Sequence, residues 1–373
     1  MGIETLHGLL TGALVSAQIF SLCAAAFFLF LGKGNTFAES AAYAIIMVFM
    51  LLSFIHQIGF ITGLSRIAAG LEICFFWASL VLIFRHRSHI PGTFKALRSV
   101  ESVNPFAFIF LGVCLVYMAT HAILPIPEEF QNQLDAISLY EKNGFFPLGA
   151  TAEFPAFLPV NHLIIFNSFL WVDPSSGMGV FCFLAYLSIG FSTYALARRY
   201  SWQGTAFTTA ILVMSMPRLV VQAIHPGTQI ISVAVVLFCI LALYRCCERP
   251  SLMDLLLLIL GLFFCVSENI STLIFAPILF VLSCVVLFRR HGIAAWTSIL
   301  GKTPYALLAI VPTLVFSQSW LFLSNTLNKA AWPGPFSTIP FNPDGIQGAL
   351  ANFIRYMFEG FNAAVSMDLF FET

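Results

Sequence analysis

The sequence predicts an all-α polytopic membrane protein, and its composition, charge balance and long apolar segments support that prediction. Of its 373 residues, 59% are hydrophobic and only 9% are charged, whereas soluble domains carry about 25% charged residues. So few charges could not cover the surface of a soluble fold of this length. The 17 basic and 17 acidic residues balance, which excludes a nucleic-acid-binding protein because such a protein needs a basic face.

Long apolar segments recur along the chain. A spanning helix needs about 20 predominantly apolar residues. About ten segments meet that requirement, at roughly 8–32, 40–62, 66–84, 105–124, 177–197, 204–224, 228–245, 252–268, 270–288 and 303–324. A further segment, about 155–172, is nearly as apolar but contains prolines, asparagines and a histidine, which are costly in hydrocarbon. We therefore predict that this segment is a juxtamembrane or re-entrant helix.

Charge placement supports the same topology. The basic clusters lie in 85–103, at Arg198-Arg199, at Arg245 with Arg249, and at Arg289-Arg290. If 155–172 does not cross the membrane, all four clusters fall on one side, which the positive-inside rule assigns to the cytoplasm. The N-terminus is then expected outside.

We divide the chain into an N-terminal three-helix segment with its basic cytoplasmic loop, 1–104, and a transmembrane core, 105–373. The core has two predicted outer loops, 125–176 and 325–350. In the first loop, Pro127, Glu128 and Glu129 are typical of a helix start. An interfacial amphipathic helix of about 16 residues, ending at Asn143-Gly144, is expected to follow.

Polar residues gather toward the predicted outer face, where they favour a cavity that opens at the outer interface. The alternative is that they are helix-end residues snorkelling to water. Arg218, which follows Pro217, could bind a lipid phosphate in bidentate fashion or anchor ordinary head groups. The set comprises His56, Gln57, Glu72, His121, Arg218, His225 and Glu268, level with Glu128, Glu129 and His162.

The order of these features resembles the GT-C superfamily of polyprenyl-phosphate-sugar-dependent glycosyltransferases. The resemblance is to the bacterial branch whose first outer loop reads Trp-Asp-Ser-x-Thr-Tyr-His, and it covers about 120–360. The segments that carry it are Leu134 to Pro147, Pro159 to Leu163, Ala195 to Arg199, Met216-Pro217, Val221 to Ala223, Thr228-Gln229 and Leu350 to Phe358.

This resemblance implies a GT-C-like bundle in a bacterial inner membrane, with a lipid-linked sugar donor and membrane lipids as partners. It also implies that Glu128 is the catalytic base, with Glu129 as its substitute. The expected substrate-binding residues are Arg218 and Lys142, which would face the phosphate, and His162, His225 and Gln229. Glu128, Glu129 and His162 could hold a divalent metal ion, although two acids and a distant histidine are a weak ligand set.

The chain also departs from the family pattern. The family's Trp corresponds to Pro127, its Tyr-His pair to Asn132 and Gln133, and its Gln-Asn-Asp to Gln229, Ile230 and Ile231. One alternative is therefore a catalytically inactive GT-C-like scaffold, a subunit of a larger membrane complex. A transporter ranks last, because paired broken helices and charges at mid-membrane are not seen in the sequence.

Overall fold

The computed structural model describes residues 3–33, 35–87, 105–122, 161–170, 177–224, 228–268, 272–300 and 309–327, together with positions 307, 347, 348 and 351. Every element in these ranges is helical. In chain order the helices are α1 (Ile3–Leu31), α2 (Phe37–Thr62), α3 (Ser65–Arg85), α4 (Pro105–Ala122), α5 (Asn161–Ile164), α6 (Asn167–Leu170), α7 (Gly179–Ala197), α8 (Gln203–Met214), α9 (Pro217–Ile224), α10 (Thr228–Glu248), α11 (Leu252–Val266), α12 (Thr272–Leu300), α13 (Ile310–Phe316) and α14 (Ser319–Leu327).

Within the described ranges, six helices are long and apolar enough to cross a membrane. They are His7–Leu31, Phe37–Thr62, Ser65–Arg85, Gly179–Ala197, Gln229–Glu248 and Phe275–Gly292. Large apolar side chains stand exposed along α1, α3, α4 and α12, as at Leu14, Trp77, Val116 and Phe275, which suits helices that face lipid. The chain is a multi-pass helical membrane protein.

Several predicted spans differ from the structure. The segment 204–224 is not one straight helix, because α8 and α9 meet at a bend of 63° just before Pro217, which has no backbone N–H to continue the helix. The predicted span 303–324 is broken between α13 and α14, where Gln318 adopts a positive φ of 48°. The helices in 105–124 and 252–268 include shorter apolar stretches, Leu111–Ala122 and Leu252–Val266.

Of the segment 155–172, which we predict to be a juxtamembrane or re-entrant helix, the structure describes residues 161–170, and these neither form a helix of spanning length nor lie at the surface. Its described part forms two helices of one turn each, α5 and α6, whose residues are buried. Phe166 and Phe169 pack edge-on against Phe181 of α7, which also contacts Phe49 of α2. Residues 161–170, which we call the re-entrant segment after that prediction, therefore lie in the apolar interior of the bundle.

Helix α2 joins the N-terminal segment to the rest of the protein. Much of its length is buried, and it packs against α1 and α3 on one side and against α7 and α10 on the other. A capping box at Thr36 and Glu39 begins the helix, and Gly63 ends it with a φ of 68°. Residues 1–104 and the core thus share one apolar interior.

Three of the predicted basic clusters meet at one end of the bundle, which we call the basic end, and most of the fourth, 85–103, lies outside the described residues. There Arg199 contacts Glu39 at 2.6 Å and Glu248 at 2.7 Å, and Arg245 lies 3.9 Å from Glu39. His291, next to Arg290, contacts the carbonyl oxygen of Cys246 at 2.8 Å. By the positive-inside rule, the sequence predicts that the basic end faces the cytoplasm.

Asn161 is the residue that joins the re-entrant segment to the opposite end, which we call the polar end. Its side-chain amide donates to the carbonyl oxygens of Phe264 and Phe316, and its Oδ1 accepts from Gln57 and Gln318. The carbonyls of Phe264 and Phe316 lie in the last turns of α11 and α13, where helices have no internal donors. One side chain therefore satisfies the ends of two helices.

We predict that Asn161→Leu destabilises the protein strongly. The variant loses four side-chain hydrogen bonds, which at about 0.6 kcal/mol or more each amount to roughly 2 kcal/mol or more. The thermal midpoint in mild detergent, measured by the loss of the monodisperse chromatographic peak after heating, should fall. Thr208→Val, at an exposed position of α8, is the control and should leave the midpoint unchanged. Equal midpoints for the two variants would show that the hydrogen bonds of Asn161 to the ends of α11 and α13 do not stabilise the protein.

Candidate functional site

The polar end contains a buried cluster of polar side chains, which we call the polar cluster. It is built on α2, α3, the re-entrant segment and the ends of α11 and α13. Its members are His56, Gln57, Glu72, Asn161, His162, Asn167, Ser168, Glu268, Gln318 and Trp320, each at most 8% exposed. Buried polar groups in a membrane mark functional or structurally essential positions, so this cluster is the first candidate site.

One half of the polar cluster is closed by hydrogen bonds around Asn161. Gln57 donates to Asn161 Oδ1 at 2.8 Å and to Ser53 at 2.9 Å, and its own oxygen accepts from the indole N–H of Trp320 at 2.9 Å. Gln318 donates to the same Asn161 oxygen at 2.9 Å. Because each group has a partner, this half stabilises the fold and leaves no group free for a ligand.

The other half is centred on His56. Its Nε2 lies 3.2 Å from Glu72 Oε2 and 3.2 Å from the hydroxyl of Ser168. The side-chain amide nitrogen of Asn167 lies 3.2 Å from His56 Nδ1. Gln18 of α1 donates to the other oxygen of Glu72 at 2.9 Å. The His56–Glu72 pair is thus held by hydrogen bonds from both sides.

His162 and Glu268 form the edge of the polar cluster. Nδ1 of His162 is hydrogen-bonded to the backbone carbonyl oxygen of Glu268. Burial lowers the pKa of His162 to about 4, against a smaller opposing effect of that hydrogen bond, so the ring is neutral at physiological pH. Among the described residues, neither carboxylate oxygen of Glu268 has a hydrogen-bond partner. A buried carboxylate without a donor is costly, which sets Glu268 apart from the rest of the cluster.

Arg218 and Gln229 come together at a second place, the corner between α9 and α10. Arg218 is exposed and lies one turn before Gln222 on the same face of α9. The side-chain amide of Gln222 donates to Gln229 Oε1, which is also exposed. The corner thus presents a cation and two amides on an exposed face. Within the described residues, no contact joins this corner to His162.

The remaining predicted site residues have different outcomes. Glu128, Glu129, Lys142 and His225 lie outside the described residues, so the predicted catalytic pair is not placed. His121 is half-buried, and its Nδ1 contacts the carbonyl oxygen of Tyr117 in its own helix. Within the described residues no three His, Cys, Asp or Glu side chains could hold a metal ion.

Several of the residues predicted to line an outer cavity are instead packed directly inside the bundle. His56, Gln57, Glu72 and Glu268 are 0–4% exposed, so the expectation that such residues snorkel to water is also wrong for them. Snorkelling fits the exposed Arg218. Partners as far apart in the chain as Gln57 and Trp320 could not be identified from the sequence, because its apolar periodicity does not specify which helices become neighbours.

Comparison with known proteins identifies no relative of this chain. No family model matches the chain, and neither the curated proteins nor the solved structures include a significant match.

We predict that Glu268→Gln and Glu72→Gln change stability in opposite ways. Glu268→Gln removes a buried carboxylate that has no hydrogen-bond donor, so the thermal midpoint at pH 7 should stay the same or rise. Glu72→Gln removes the charge that faces His56, so the midpoint should fall. Both midpoints are measured in one detergent at one protein concentration. A fall for Glu268→Gln as large as that for Glu72→Gln would mean that the Glu268 carboxylate has a stabilising partner.

Proposed function

We propose that the chain is a GT-C-like protein of the bacterial inner membrane that transfers a sugar from a polyprenyl phosphate to an envelope acceptor at the outer face. The observation that supports the proposal is that Ala122 and Asn161, the described residues on either side of the sequence segment that contains Glu128 and Glu129, both lie at the polar end. Ala122, before this segment, approaches Gly179 at the start of α7, and Asn161, after it, lies in the polar cluster. The positive-inside rule assigns the polar end to the outer face.

The Arg218 corner supports the same proposal. Gln229 lies at the start of α10, whose other end carries Arg245 at the basic end, so the corner belongs to the polar end. An exposed guanidinium beside two amides can bind a phosphate through several hydrogen bonds. Arg218 and Gln229 are the two described residues, apart from His162, to which the family resemblance assigns substrate binding.

In the proposed reaction, a loop carboxylate, Glu128 with Glu129 as its substitute, takes the proton of the acceptor hydroxyl. The acceptor oxygen bonds to the anomeric carbon as the bond from that carbon to the phosphate oxygen breaks, with inversion. The departing polyprenyl phosphate keeps the electron pair, and the guanidinium of Arg218 offsets its charge.

We predict that Glu128→Gln abolishes sugar transfer while the protein still inserts and remains monodisperse, because the amide cannot accept the proton. Transfer is measured with a radiolabelled polyprenyl-phosphate sugar and an envelope acceptor fraction. Asp135→Asn removes an acid from the same segment to which no role is assigned, and this control should keep full activity. Unchanged transfer by Glu128→Gln would remove that residue from the mechanism.

We also predict that Arg218→Gln lowers transfer about tenfold or more, the loss expected for one charge-assisted hydrogen bond, and that Arg218→Lys recovers part of it. Lysine keeps the charge but lacks the planar fork of donors. The decrease should appear in kcat/KM for the lipid-linked donor. Equal activity of Arg218→Gln and the unmodified protein would argue against phosphate binding at this corner.

A second candidate function is a GT-C-like scaffold without catalysis, and one observation favours it. Where the family has an Asn-Asp pair after its Gln, this chain has Ile230 and Ile231, which are fully buried in the apolar core. A carboxylate of the family site is therefore replaced by packing. The scaffold hypothesis predicts that stoichiometric membrane partners co-purify in mild detergent, and a monodisperse monomer with transfer activity would refute it.

A further inference from the structure

A groove opens at the basic end, on the side of the bundle where α4, α7 and α8 meet. Its volume is about 600 Å³, within the range of about 300–1,000 Å³ that is typical of small-molecule sites. The walls are apolar and include Leu111 and Leu115 of α4, Leu187 and Phe191 of α7, and Phe207 and Met214 of α8. The body of the groove can therefore receive a hydrocarbon chain.

Charged side chains line the mouth of this groove. Arg199 and Arg245 are matched by Glu39 and Glu248 through the ion pairs that hold the basic end together. Two cations and two anions balance in that network. The mouth also contains Arg198, so it carries one positive charge in excess.

Arg198 supplies the excess charge. Its side chain is exposed, and its Nη1 donates to the backbone carbonyl oxygen of Ser201 at 3.0 Å. In the described part of the chain no carboxylate lies within 4.0 Å of its guanidinium. Helix α8 begins beside it at Gln203, and its N-cap residue Trp202 makes no side-chain cap, so the positive end of the helix dipole adds to the same field.

Two aromatic residues mark the depth of the mouth in the membrane. Tyr200 and Trp202 are 73% and 86% exposed, and exposed tyrosine and tryptophan at the end of a spanning helix are typical of the head-group layer. The mouth is therefore level with lipid phosphates, and the apolar body extends into the acyl-chain region. A soluble anion would match the mouth but leave the apolar walls without a partner.

We propose that this groove binds an anionic glycerophospholipid of the cytoplasmic leaflet, with its phosphate at Arg198 and an acyl chain between α4, α7 and α8. Basic pockets between spanning helices on the cytoplasmic side are known to bind anionic head groups. Because the two glutamates already pair with Arg199 and Arg245, the mouth offers a cation to the phosphate and no free acid to a choline or ethanolamine amine. An anionic head group is therefore preferred over a zwitterionic one.

The test measures lipid binding by the full-length protein, delipidated in detergent and titrated with phosphatidylglycerol or with phosphatidylcholine. Native mass spectrometry counts the bound lipids, and the thermal midpoint reports their effect on stability. Phosphatidylglycerol should bind at one saturable site and raise the midpoint, and binding should weaken as salt is added. Equal binding of the two lipids would overturn the proposal.

Three variants test the residues involved. Arg198→Gln should weaken phosphatidylglycerol binding about tenfold or more, the loss expected for one charge-assisted hydrogen bond. Leu115→Trp should weaken it by filling the apolar body. Arg249→Gln, which removes an exposed arginine at the basic end outside the groove, should have no effect. If Arg198→Gln and Arg249→Gln behave alike, the Arg198 site is refuted.

Two further outcomes would also contradict the proposal. Displacement of the lipid by millimolar glycerol phosphate would identify a soluble phosphate ligand, and a protein subunit that protects the groove from lipid would identify a subunit interface. Neither result depends on sugar transfer at the polar end. The lipid-binding proposal can therefore be refuted while the proposed function stands, and the proposed function can be refuted while the lipid-binding proposal stands.

Discussion

The need to satisfy backbone carbonyls inside a membrane is the constraint on which this structure depends, and Asn161 meets it. Water cannot reach a helix end in hydrocarbon, so each interrupted helix needs a donor from the protein. The side-chain amide of Asn161 donates one hydrogen bond to a carbonyl of α11 and one to a carbonyl of α13. Its backbone N–H donates to the carbonyl oxygen of Ser267. Three chain breaks therefore lie together, which allows the re-entrant segment to lie in the apolar interior of the bundle.

This arrangement separates the two ends of the molecule. At the polar end, the ends of α5, α11 and α13 bring polar groups together, and the half of the cluster around Asn161 is closed by its own hydrogen bonds. At the basic end, charged side chains form a compact ion network around Arg199, and an apolar groove opens beside it. The sugar chemistry and the lipid site are therefore proposed for opposite ends of the bundle, although α2 and α10 contribute residues to both ends.

Much of the fold could be predicted because it follows from local sequence. The long apolar runs of α1, α2, α3, α7 and α10 correspond to helices of spanning length, and three of the basic clusters lie at one end. The break at Pro217 has a local cause that is visible in the sequence, the proline itself. The break at Gln318 has no corresponding signal in the apolar pattern. The candidate site was harder to predict. Arg218 and Gln229 are exposed and lie eleven residues apart near the corner between α9 and α10, but the partners of Gln57 and His56 come from distant segments.

The sequence by itself determined that this is a helical multi-pass membrane protein, because hydropathy and charge act on each segment independently of its neighbours. The positions of its basic clusters also predict which end faces the cytoplasm. Only the tertiary structure decided that His56, Gln57, Glu72 and Glu268 are buried and do not line a cavity, and that Arg198 stands at the mouth of an apolar groove. Burial and pairing depend on which helices pack together, and that choice depends on shape and hydrogen bonding between segments far apart in the chain.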